Sequence, residues 1–270
     1  MSNELKNFNW KQKPPKIDVE RYLRRIAYEA PSLPSLDYLK HLHKNHLLTI
    51  PFENLDIHWN KEITLEIDKI YRKIVISRRG GFCYELNGLF HALLLNLGFD
   101  CHLISCRVYN EEGVESAEFD HMAILVELNG ETYLADVGFG DLFLEPKKLS
   151  VNQMLVDYNK YFRFLRDTNG DYILSYSTDA SDFKKQYIFS TRKRQFIEFM
   201  SRCHWQQTSK DSHFTARKMC SIATTEGRFT LTDDKLVETV RGAKKETALL
   251  NADDFNSKLH ELFGISFQVD

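Results

Sequence analysis

Among five cysteines, Cys83 stands out by its place in the chain. It follows the basic, glycine-containing turn Arg78-Arg79-Gly80-Gly81-Phe82 and opens a helical pattern in which Leu86, Leu89, Phe90, Leu93, Leu94 and Leu97 recur at three- and four-residue steps. Gly98 supplies the stop. A thiol in the first turn of a helix faces unpaired N–H groups and the positive end of the macrodipole, which predicts a lowered pKa and a nucleophilic thiolate. Cys101, Cys106, Cys203 and Cys220 form no CxxC or other paired metal spacing. Neither a disulfide framework nor a zinc site is indicated, and the thiols are expected to be reduced.

A thiolate needs a base, and the chain offers one on a predictable hairpin. Residues 121–128 (HMAILVEL) and 131–137 (ETYLADV) read as strands, and Asn129-Gly130 between them marks a two-residue turn. Pairing Leu128 with Glu131 sets Ala123 opposite Asp136 and His121 opposite Gly138. His121 and Asp136 then become diagonal neighbours on one face, with the glycine leaving room for the ring. A cysteine at a helix start with a His-Asp pair on a following sheet is the arrangement of papain-like and transglutaminase-like enzymes. The imidazole takes the thiol proton, and the carboxylate fixes its tautomer and stabilises the imidazolium. The residues alone say thiol-based acyl transfer and leave the acceptor open.

The elements that must hold these residues fall into three sections. Residues 17–28 and 35–47 read as amphipathic helices with Asp18 and Ser35 as N-caps, and a third helix around 68–76 leads to the glycine turn, so the first ~98 residues are helical. Of His41, His43 and His46 in the second helix, only His43 and His46 share a face, and no nearby carboxylate completes a metal site, so they read as a solvated or packed face. Alternating patterns at 101–109, 121–128, 131–137, 161–165, 172–176 and 186–189 predict a barrel or strongly curved sheet over ~99–190. A short helix at 194–204, strands at 216–223, 228–232 and 235–240, and a final helix at 252–263 between Asn251 and Gly264 complete the chain. No linker or repeat interrupts it, so the sections are expected to pack as one body.

At 270 residues with 43% hydrophobic and 13% aromatic content, the chain can bury a large core. Lys+Arg 36 against Asp+Glu 38 leaves a net charge of −2. The densest basic run, residues 72–79, reads as a solvated helix end, so no nucleic-acid partner is indicated. The N-terminal MSNELKNFNWKQKPPK lacks an apolar leader, and no apolar run approaches the ~18 residues of a membrane span. A cytoplasmic address without a membrane partner is the expectation.

The segment Arg79-Gly80-Gly81-Phe82-Cys83-Tyr84-Glu85, preceded by Pro51-Phe52-Glu53-Asn54-Leu55 and followed by His121 and Asp136-Val137-Gly138-Phe139-Gly140, closely resembles the arylamine N-acetyltransferases. Gln207 to Thr215 and Cys220-Ser221 through Glu226-Gly227 carry the likeness over nearly the whole chain. It implies an α+β fold with a cysteine-peptidase-like core: a helical domain (1–98) carrying the nucleophile, a β-barrel (99–190) carrying histidine and aspartate, and an α/β lid (191–270). It further implies acetyl-CoA as donor, an arylamine, arylhydrazine or arylhydroxylamine as acceptor, a ping-pong route through an acetyl-cysteine, and a role in xenobiotic metabolism. By this resemblance Cys83, His121 and Asp136 are the catalytic triad, and Phe52, Phe139 and Phe214 are walls of the acceptor pocket, where aromatic rings stack on a flat amine. Glu53 and Arg79 match a pair that buttresses the cysteine loop. Trp205, Thr208 and Ser212 fall where CoA contacts are expected, although Lys210 replaces a common proline. No metal is implied. The missing insertion between barrel and lid resembles bacterial members, expected as monomers or weak homo-oligomers. A cysteine peptidase or transglutaminase-like enzyme would need the same triad, but the RGGFCYE and DVGFG segments argue against it.

Overall fold

The structure, a computed structural model, describes residues 14–29 and 31–266. Most of the N-terminal segment expected to lack a leader, and the last four residues of the expected lid, lie outside the described residues.

Helix α1 (Val19–Arg25) and helix α2 (Leu36–Thr49) begin where their caps predict, with Asp18 Oδ1 accepting from Arg21 N–H and Ser35 Oγ from Tyr38 N–H. Strand β1 (Phe52–Glu53), helix α3 (Leu55–His58) and helix α4 (Ile67–Tyr71) follow. The single helix expected over 68–76 is in fact α4 running into a π-helical turn, Arg72–Ile76. Helix α5 (Cys83–Asn96) carries the cysteine at its first position and is buried over most of its circumference.

The middle of the chain forms an eight-stranded, nearly closed antiparallel barrel: β2 (Asp100–Val108), β3 (His121–Leu128), β4 (Glu131–Ala135), β5 (Lys147–Lys148), β6 (Leu155–Asp157), β7 (Lys160–Arg166), β8 (Tyr172–Ser177) and β9 (Lys184–Phe189), in the order β5-β4-β3-β2-β9-β8-β7-β6. Its two end strands are tied by side chains: Lys147 Nζ of β5 donates to Asp157 Oδ2 of β6 at 2.5 Å, and Glu145 N–H donates to the same oxygen at 2.8 Å. The short β5 and β6 were not legible, because two or three residues give no alternation to read. A rings-and-aliphatics core of Phe143, Phe162, Phe164, Tyr187 and Phe189 fills the barrel.

After a 3₁₀ turn (Phe196–Phe199) come α6 (Met200–Thr208), α7 (His213–Ala216), β10 (Met219–Thr224), β11 (Gly227–Thr232), β12 (Lys235–Val240), β13 (Ala243–Ala248) and α8 (Ala252–Phe263). Asn251 caps α8, and Gly264 ends it in the left-handed region. Strand β13 was also unforeseen: AKKETA is exposed throughout, as a charged edge strand is, and carries no apolar face. The order of the second sheet is β1-β10-β11-β12-β13. The helical and C-terminal sections therefore share a sheet through β1, with Phe52 opposite Ser221 and Glu53 opposite Cys220.

Candidate active site

Strand β1 is wedged between β10 on one side and the cysteine turn on the other. Glu53 N–H donates to Gly81 O at 2.9 Å, and Gly81 N–H to Pro51 O at 3.4 Å. The Pro51 carbonyl comes so close that a Cβ at Gly80 would sit 2.1 Å from its oxygen, so the glycine is required by close approach and not by a left-handed backbone. Behind the turn lies a buried ionic cluster. Arg79 donates through Nε (3.0 Å) and Nη2 (2.7 Å) to Glu53 Oε1, and through Nη2 to Asp56 Oδ1 (2.9 Å). Lys73 Nζ contacts Asp56 (2.7 Å) and Glu85 (2.8 Å). Glu85 Oε2 in turn accepts from Phe82 N–H at 3.1 Å, fixing the residue before the cysteine. Burial favours the neutral form of Lys73, but the three carboxylates outweigh it and hold the ammonium above its ordinary pKa.

Asn54, the last residue of the PFEN segment, binds the far loop: its Nδ2 donates to Phe214 O and Arg217 O at 2.9 Å each, and its Oδ1 accepts from Met219 N–H at 2.7 Å.

The β3–β4 hairpin adopts the predicted register, with Leu128 opposite Glu131 and Ile124 opposite Ala135. His121 Nε2 donates to Asp136 Oδ2 at 2.7 Å, and both side chains are buried. The ring nitrogen left for a thiol is therefore Nδ1. Asp136 accepts three further bonds: from Tyr187 OH on Oδ2 (3.0 Å), and from Asn87 Nδ2 (2.9 Å) and Gly138 N–H (3.0 Å) on Oδ1. Burial pushes this carboxyl up, but His121 and the hydrogen bonds outweigh it and leave its pKa below the usual aspartate range. It stays an anion.

The cysteine meets this pair through α5. Asn87, one turn beyond Cys83, donates to Met122 O (2.6 Å) as well as to Asp136, and its Oδ1 accepts from Val137 N–H (2.9 Å). A Cβ at Gly138 would lie 2.8 Å from Cys83 Cα and 2.7 Å from Asn87 Nδ2. That glycine thus makes room for the start of α5, where the sequence reading had it making room for the His121 ring. Asn87 and Tyr187 were missed. Asn87 had a visible signal, since a polar residue four positions after the nucleophile lies on the same helix face; Tyr187 had none, because its partner lies 51 residues away.

The expected lowering of the Cys83 pKa is also corrected. Burial pushes the thiol well above its ordinary value, Cys203, Asp120 and Asp136 add to this, and the Tyr84 N–H at the helix start gives only a smaller opposing effect. At 3% exposure, the helix terminus cannot replace lost hydration. Forming a thiolate here therefore needs a base to take its proton.

Around this centre, the Phe139 ring packs edge-on to His121 at 5.0 Å and against Tyr187 at 5.1 Å. Phe52 and Phe214 meet at 6.1 Å, and Phe214 packs edge-on to Phe82, beside the cysteine, at 5.8 Å. The three phenylalanines are all partly open, Phe139 on the histidine side and the other two on the cysteine side. Trp205 is half-buried beneath the Arg202 guanidinium (3.7 Å), and Thr208 is exposed with its hydroxyl donating to His204 O. Ser212 is buried; its hydroxyl donates to Gln206 Oε1 at 2.7 Å and accepts from Phe214 N–H. Gln206 and Arg202 both hold Asp120, the residue before His121. The side-chain contacts of Ser212 thus run inward, toward the histidine strand.

Residues 35–270 match the N-acetyltransferase family. The chain is similar to an arylamine N-acetyltransferase of Gallus gallus, the pineal gland isozyme NAT-10 (30% identity, covering 93% of this chain and 95% of that protein). It is also similar to the arylamine N-acetyltransferase of Escherichia coli strain K12 (30% identity, 92% and 88% covered). Among solved structures, it superposes on the Mycobacterium smegmatis arylamine N-acetyltransferase with a TM-score of 0.86 at 28% identity, covering 93% of both chains. An arylamine N-acetyltransferase of Bacillus cereus, described as having a unique Cys-His-Glu catalytic triad, superposes with a TM-score of 0.85 at 26% identity, covering 93% of this chain and all of that one.

Proposed function

The chain belongs to the arylamine N-acetyltransferase family, and from that premise we propose that it carries an acetyl group from acetyl-CoA to an aromatic amine, hydrazine or hydroxylamine through an acetyl-thioester on Cys83. In the first half-reaction His121 Nδ1 takes the Cys83 proton as the sulfur attacks the thioester carbonyl of acetyl-CoA. The Sγ–C bond forms, the CoA sulfur leaves, and the imidazolium returns the proton to it. In the second, the amine nitrogen attacks the acetyl-cysteine carbonyl and gives its proton to His121, and the Cys83 sulfur leaves to be reprotonated. Asp136 holds Nε2–H throughout and stabilises each transient imidazolium. Phe52, Phe139 and Phe214 stack on the aryl ring, and Trp205, Thr208 and Ser212 form the donor side, Ser212 through its backbone because its hydroxyl is engaged. Residues 1–98, 99–190 and 191–270 serve as nucleophile, base and lid units of a cytoplasmic bacterial enzyme, monomeric or weakly self-associating, that handles foreign aromatic amines.

The observation that carries this reading is the buried 2.7 Å bond from His121 Nε2 to Asp136 Oδ2, which reserves Nδ1 for the thiol. The test uses acetyl-CoA with no amine. Intact-mass analysis should find one added acetyl, mapping to Cys83, with stoichiometric release of CoA, and an aromatic amine should then discharge it. An unmodified protein, a label on another cysteine, or slow amide cleavage in place of acetylation would sink the proposal and favour a peptidase.

A further inference from the structure

His43 lies on α2, outside the triad, yet its ring touches the segment that carries the aspartate. Asp136 N–H donates to His43 Nε2 at 3.0 Å, and His43 Nδ1 lies 2.8 Å from Leu144 O. Both partners are backbone groups with fixed roles, since an N–H can only donate and a carbonyl only accept. The ring is therefore the neutral Nδ1–H tautomer, donating to Leu144 and accepting from Asp136.

Residues 136–144 hold the carboxylate of Asp136, the Gly138 that meets α5, and the Phe139 ring against His121. One imidazole fastens both ends of this segment, while Arg228 Nη2 donates to Gly140 O at 2.6 Å near its middle. The His43 ring stacks on Phe143 (5.6 Å) and meets the edge of Phe90 (6.0 Å), and it is fully buried. Its hydrogen bonds are thus unavailable to water, and loss of the ring would leave the Asp136 N–H unsatisfied next to the carboxylate that orients His121.

We propose that His43 is a positioning residue for the acyl transfer: in its Nδ1–H form it sets the Asp136 peptide, and with it the direction of the carboxylate and the Phe139 wall. This deepens the proposed function and rests on the Cys83-His121-Asp136 assignment. His43 touches no reacting atom.

The experiment compares His43→Leu, which keeps bulk but offers no acceptor, with His43→Gln, whose amide oxygen can again accept from Asp136 N–H. The readout is the pH profile of Cys83 alkylation by iodoacetamide, which reports the thiol-imidazole pair and needs no acetyl donor. Thermal unfolding of both variants runs alongside. His43→Leu should slow alkylation at neutral pH by about tenfold, the factor for one lost buried hydrogen bond, and displace the profile; His43→Gln should bring the profile back to within about threefold. A folded His43→Leu protein with the wild-type profile overturns the proposal. So does a pair of variants that both melt early and share an unchanged profile, since the ring would then serve stability alone. Failure of acetyl-CoA to label Cys83 would remove the transferase reading and leave the alkylation result standing.

Discussion

Replacing Asp136 with asparagine changes one atom, and the structure fixes which way the new amide must face. Oδ1 accepts from Asn87 Nδ2 and Gly138 N–H, both donors, so the amide NH₂ cannot occupy that side without losing two bonds. Asn87 cannot turn to accommodate it, because its own amide is committed to Met122 O and Val137 N–H. The NH₂ must therefore take the place of Oδ2 and point at His121 Nε2. A donor there drives the imidazole into the tautomer with its proton on Nδ1, the nitrogen that must receive the Cys83 proton. Loss of the charged hydrogen bond alone is worth about 1.5–3 kcal/mol. The wrong tautomer costs more, since the corresponding change in a serine triad lowers kcat by about 10⁴. A thiol is a better nucleophile than a hydroxyl and depends less on its base, which places the expected loss at roughly 10²- to 10⁴-fold. Stopped-flow measurement of CoA release from acetyl-CoA isolates this step, and cooperative thermal unfolding checks that the fold survives. A folded Asp136→Asn protein that acetylates Cys83 within tenfold of wild type would refute both the triad and the tautomer argument.

Gly138→Ala should cut the same rate by at least tenfold while leaving unfolding cooperative, because its Cβ, 2.8 Å from Cys83 Cα, forces the helix start away from the hairpin; about 1.4 kcal/mol of lost alignment suffices. Unchanged CoA release would mean that the approach relaxes without moving the thiol. Arg79→Met strands the wholly buried Glu53 beside the still-charged Lys73, and should cost about 3–5 kcal/mol in a denaturant titration; a loss below 1 kcal/mol would show that water or Lys73 takes over. Burial lowers the His43 pKa to about 4, so the folded state keeps it neutral while the unfolded chain takes a proton below about 6.5. Its contribution is complete above pH 6.5 and is lost as pH falls toward 4, amounting to about 3 kcal/mol. Urea titrations should show a steeper decline over that window for wild type than for His43→Gln, since Asp136, Asp157, Lys147 and His46, the titratable groups that act on position 43, are present in both; parallel curves would contradict it.

What the sequence made legible follows from the range of the interactions concerned. The α5 pattern, the Asp18, Ser35 and Asn251 caps, and the Asn129-Gly130 register are local, spanning a few residues each, and the structure has them where periodicity and turn chemistry put them. The His121-Asp136 pair was accessible for the same reason: two hairpin strands convert a local turn into a fixed face. Apart from the short β5 and β6 and the charged edge strand β13, what failed needs two distant segments at once. Gly138 was credited to the ring across the hairpin when its real neighbour, the Cys83 backbone, lies 55 positions earlier in the chain. His43 reads as part of a solvated or packed face and not as a metal ligand, and although the structure packs it, nothing within α2 reveals its partner, a backbone N–H 93 residues away. The Cys83 pKa erred in the same direction, because a helix terminus can be read from spacing whereas burial cannot. The residues that carry the chemistry are thus local and readable, and the contacts that aim them, Asp136 N–H to His43 and Asn87 Nδ2 to Asp136, join segments far apart in the chain. A substitution at His43 or Asn87 should accordingly alter the rate without changing any residue of the sequence signature.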